Sequence, residues 1–186
     1  MPLSDARARA LLPSAFGFVH LVFKILPGLK AADLEDLAKR LWSGDSNPAV
    51  VVSVAPLRVA AYTWDLDAVV ILAFADDYAE GLDLAVGQRL LSANYDHEYG
   101  DGILADDIDA GPAATGGWHN VHPTIAVFLS DHRGHIEAQK RRIPEEAWRR
   151  TEALGRAKFA AQPHMARMGD PFFSDVSAGD QRDAYA

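Results

Sequence analysis

With 186 residues and a hydrophobic share of 49%, the chain has enough apolar content to bury a core without covalent staples, and one domain is the expected count. It holds no cysteine, which removes disulfides, thiolate metal sites and cysteine nucleophiles together and makes a reducing cytoplasm the expected setting. The formal charge of −8 works against condensation on a phosphate backbone, so nucleic acid is not an expected partner.

Residues 3–12 are rich in alanine and arginine, with Ser4 and Asp5 as cap candidates, and predict a short helix ending near Pro13. Arg7 and Arg9 then precede a largely apolar run, but His20 and Lys24 interrupt it and Pro27-Gly28 closes it. The run falls short of the roughly 20 residues of a spanning helix and lacks a small-residue cleavage pattern. It is read as a buried helix over residues 16–26, with no membrane partner. Residues 31–42 place Leu34, Leu37, Ala38 and Leu41 on one face among charged neighbours and predict an amphipathic helix.

After a turn-rich stretch at 43–48 the period changes. Residues 49–62 form an apolar and β-branched run interrupted by Pro56, residues 68–74 a second, and residues 88–94 a third. Proline cannot donate to a ladder, so Pro56 is expected to mark a bulge or an edge. An acidic connector with room for one helical turn lies between the second and third runs. The expected fold class is therefore α+β: a small antiparallel sheet of about three strands within residues 49–94, packed against N- and C-terminal helices.

The span 95–118 has little periodicity over about 24 residues, longer than the roughly 12 to 15 at which a structureless loop stops being ordinary. Beyond it, Pro123 suits a first helical position and residues 124–129 read as a short helix, with a strand as the alternative. Gly134 interrupts, residues 136–142 continue as a polar helix, and Pro144-Glu145-Glu146 opens the last helix, with an inner stripe of Trp148, Thr151, Gly155 and Phe159. Residues 1–170 are expected to form one domain and residues 171–186 a flexible tail.

Two chemistries compete around the long loop. His119 and His122, three residues apart, can face one cation, and Asp109 or a neighbouring aspartate would complete a zinc or other divalent site able to activate water for hydrolysis. No HExxH supports it, and capping or solvated roles serve the same histidines. Nor do the carboxylates follow EF-hand spacing. Phosphate-loop, dinucleotide and serine-elbow motifs do not occur either.

Charge distribution carries more weight. Between residues 65 and 109 twelve acids face Arg89 alone, whereas residues 133–158 hold eight basic residues against four acids. Such segments either pack against each other inside the domain or leave an acidic surface that steers a basic partner. The expectation is a binding module without an assigned reaction or cofactor, of adaptor or toxin-neutralising type. It would present Asp106, Asp107, Asp109 and Trp118 to a basic protein partner, although burial as a core plug is the favoured role for Trp118 taken alone.

Overall fold

The structure is a computed structural model that describes Ser4, residues 44–95 and residues 104–169. The helices predicted over residues 3–12, 16–26 and 31–42 and the tail at 171–186 lie outside the described residues.

Five apolar stretches pair as strands: β1 (Asp45–Val54), β2 (Leu57–Thr63), β3 (Ala68–Ala73), β4 (Arg89–Tyr95) and β5 (His122–Ile125). A sixth, β6 (Arg167–Met168), completes a sheet of order β5-β4-β1-β2-β3-β6. The contacts are antiparallel except for β3 with β6, which is parallel. The sheet is curled into a half-barrel. This corrects the expectation of an antiparallel sheet of about three strands within 49–94: the sheet is larger, mixed and reaches beyond both limits. At four and two residues, β5 and β6 are too short to leave a period in the sequence, and their partners lie far along the chain.

Pro56 is neither bulge nor edge. It sits with Ala55 in the turn between the paired Val54 and Leu57, and the irregularity falls instead between Val51 and Ser53. The turn-rich stretch is also reassigned, because Asp45 to Pro48 belong to β1 and pair with β4. Residues 124–129 split between the two alternatives: β5 ends at Ile125, and α2 (Ala126–Leu129) follows it. Pro123 is accommodated because β5 is an edge strand.

Successive strand residues point to opposite faces, and both faces are covered, so the strands read as continuous apolar runs. On one face Ala49, Val51, Leu57, Val59, Ala61, Val70, Leu72 and Leu90 join Ile108, Val121, Ile125 and Phe128 in the main core. The other face meets α4 (Glu145–Ala161), which opens after Pro144 as expected, with Glu145 and Glu146 in its first turn. Its predicted stripe is the contact surface: Trp148 and Thr151 are buried, and Phe159 packs on Val52, Ala60 and Ile71. Gly155 is required there, since a Cβ would lie 2.4 Å from the Ala60 Cβ. α1 (Asp77–Gly81) is the single turn of the acidic connector. α3 (Arg133–Lys140) begins earlier than expected and contains Gly134.

Candidate functional site

The acidic loop is the feature that the sequence marks out, and the structure ties it down at two places. The first lies at Asp107. Its carboxylate takes a bidentate pair from Arg167, and each of these side chains keeps only 13% of its surface exposed. The same guanidinium donates to the Asn120 Oδ1 and to the Val121 carbonyl, both at 2.7 Å. Arg167 belongs to β6 at one edge of the sheet, and Val121 leads directly into β5 at the other. Among the described residues the two ends of the curled sheet are thus joined by a side chain and not by a backbone ladder. Phe74, just after β3, adds an apolar contact across the same gap, with its ring 4.6 Å from that of Phe128.

Lys158 on α4 reinforces this latch. It is buried, and its ammonium donates to the Asp107 carbonyl and, at 2.9 Å, to the Asp109 carboxylate. Asp109 itself remains 80% exposed at its side chain. Asp106 is exposed and has no ion-pair partner among the described residues.

The second fastening is Asp67, in the turn between β2 and β3. Burial raises its carboxyl pKa, but the Tyr62 hydroxyl, the Ala113 N–H and the Arg150 guanidinium outweigh that and hold it below its ordinary value. The Tyr62 hydroxyl donates at 2.6 Å, Arg150 Nε and Nη2 at 2.8 and 2.6 Å, and the Ala113 N–H at 3.1 Å. Burial and the facing carboxylate push the Tyr62 phenol up to about 12. Around this group Gly111 N–H donates to the Leu66 carbonyl and Thr115 N–H to the Asp65 carbonyl. Asp67 adopts a left-handed φ of 49°. Gly111 lies so close that a Cβ would come within 2.3 Å of its carboxylate. One buried aspartate therefore binds β2, α4 and the loop segment after Ala110 into a unit.

Each sequence-predicted residue now has a place. Asp107 and Asp109 answer the basic late segment inside the molecule, Asp106 faces outward, and Trp118 is half-buried against the margin of the main core. His119 is exposed, with its carbonyl accepting from the Ala105 N–H, while His122 is half-buried and starts β5. No group of three or more His, Asp or Glu side chains that could hold a metal ion occurs among the described residues. No described helix is long and apolar enough to cross a membrane.

Sequence reasoning missed Tyr62, Asp67, Arg150, Lys158 and Arg167. The one available signal was the opposed charge of the two segments, which announces pairing but not partners. It also passed over Trp64, which is 43% exposed beside the Asp67 cluster.

No family model matches the chain, and neither a curated protein nor a solved structure is detectably similar to it.

Proposed function

We propose that the protein is a binding module that offers an acidic surface to a basic protein partner in the manner of an adaptor or toxin-neutralising protein. The observation that supports this reading is the acid left over by the ion pairs among the described residues. Asp76, Glu80, Asp83 and Asp106 are exposed and have no ion pair among the described residues. An unpaired acidic surface favours encounter with a basic partner and discourages an acidic one. Asp107, by contrast, is withdrawn into its pair with Arg167, and Asp109, though exposed, is paired with Lys158, so the proposed surface draws on Asp106 and on the acids of the connector.

The test begins with cross-linking and identification of the bound protein, followed by titration with that partner in purified form. Glu80→Lys combined with Asp106→Lys should weaken binding by about tenfold and reduce its dependence on salt. A partner held equally by the reversed variant, or one that is itself acidic, overturns the reading.

A further inference from the structure

The turn that carries Trp64 presents an exposed large aromatic on a braced support. The indole packs edge-on against Tyr62, with ring centroids 5.1 Å apart and planes at 89°. The Tyr62 hydroxyl is in turn fixed by Asp67, which Arg150 and the Ala113 N–H hold. From the other side, the Trp64 backbone N–H donates to the Oδ1 of buried Asn47 at 3.3 Å. Next in the chain stands Asp65, half-buried, its carbonyl occupied by Thr115 N–H and its carboxylate without an ion pair among the described residues.

We infer that Trp64 and Asp65 form the docking point of this module, and that the occupant is a basic segment of a protein partner whose arginine or lysine lies over the indole face while Asp65 supplies the opposite charge. The inference rests on the reading of the protein as a binder of basic partners. Charge complementarity selects the occupant. The uncovered part of an indole attracts cations through its ring quadrupole, and guanidinium is the preferred stacking group. The chain's net charge of −8 and the adjacent carboxylate draw the same ligand and repel an acidic one. The bracing matters as much as the chemistry. An aromatic already held in one orientation loses little conformational freedom when a partner covers it, so more of the contact energy remains as affinity.

The experiment is an NMR titration of the full chain with an arginine–glycine repeat peptide, following the Trp64 indole N–H together with the backbone amides of Glu80, Asp83 and Asp106. The expected result is a saturable shift of the Trp64 indole that shrinks as salt is raised. Trp64→Ala should weaken peptide binding by about three- to tenfold, and Trp64→Phe should restore part of the loss, with circular dichroism showing both variants folded. A glutamate–glycine repeat peptide should leave the indole unmoved. Shifts at Glu80, Asp83 or Asp106 without any at Trp64 would overturn this docking point while leaving an acid-steered binding module in place. A peptide that moves none of these signals overturns both.

Discussion

Two acidic stretches of this chain look alike in sequence and have opposite fates. Residues 76–83 and residues 106–109 are each short, aspartate-rich and without basic neighbours. In the second, Asp107 lies in a shielded pair with Arg167, and Asp109 meets the buried Lys158. In the first, Asp76 accepts the Leu57 N–H at 2.8 Å, and neither Glu80 nor Asp83 has an ion pair among the described residues. The difference comes from what the fold brings opposite them. The loop crosses the gap between the two edges of the sheet, where α4 and β6 supply cations. The connector lies between β3 and β4, with no such element against its acids among the described residues. Acid content in a sequence is therefore no measure of acidic surface, because pairing is decided by segments far away in the chain.

The contrast breaks most sharply at the buried end of the paired set. Replacing Asp67 by alanine leaves the Tyr62 hydroxyl, the Ala113 N–H and the Arg150 fork without their acceptor, and stability measured by urea unfolding should fall by about 3 kcal/mol. A loss within about 0.5 kcal/mol, the range of an ordinary surface substitution, would mean that the cluster contributes no more than an exposed charge.

Close behind is the pair that joins the sheet edges. A double-mutant cycle of Asp107→Ala and Arg167→Ala should return a coupling energy of about 2 kcal/mol, since both side chains are largely withdrawn from water. Simple additivity of the two variants would show that the ends of the sheet hold together without this latch. Gly111→Ala should cost about 1 to 3 kcal/mol, because the new methyl is forced onto the Asp67 carboxylate and carbonyl. Its thermal midpoint should drop while that of Gly116→Ser, where no atom lies within 4 Å of the Cβ position, falls for backbone strain alone.

The pH dependence sharpens the same comparison. Asp67 has a folded pKa below its unfolded value, so its contribution is present above about the ordinary 3.8 and is lost as pH falls through the folded value. For Tyr62 the sign is reversed. Its folded pKa of about 12 exceeds the ordinary 10.0, so its contribution is complete below pH 10.0 and disappears between there and about 12. The alkaline fall in urea midpoint should therefore be shallower in Tyr62→Phe than in the parent chain, and identical slopes would remove Tyr62 from the account. The smallest effect belongs to the unpaired stretch: Glu80→Lys should change stability by less than about 0.5 kcal/mol in either direction. A larger loss would place Glu80 among the structural acids.

Much of the fold is legible in the order of the residues. The last helix announces itself through Pro144, the two glutamates after it and the stripe from Trp148 to Phe159, because an amphipathic helix of that length writes its burial into a 3.6-residue period. The runs at 49–62, 68–74 and 88–94 show strand character for a similar local reason. Harder to see are β5 and β6, too brief to carry a period, and the true position of Pro56, since the hydrophobic pattern is the same for a bulge and for a tight turn. The candidate site is legible only as net charge. Composition marks Asp107 and Asp109 for a surface role, but the side chains that answer them, Arg167 and Lys158, lie 60 and 49 residues further along and leave no local mark.

The sequence by itself determined that the chain holds no thiol chemistry, that it is acidic, where its longest described helix runs and which stretches are extended, because composition and short-range periodicity are properties of neighbouring residues. Only the tertiary structure decided which acids are consumed and which remain, how the edges of the sheet meet at Arg167, and that Trp64 stands partly uncovered on a braced turn. Those outcomes depend on long-range register and burial: a carboxylate becomes a structural group or a surface charge according to what the folded chain places against it.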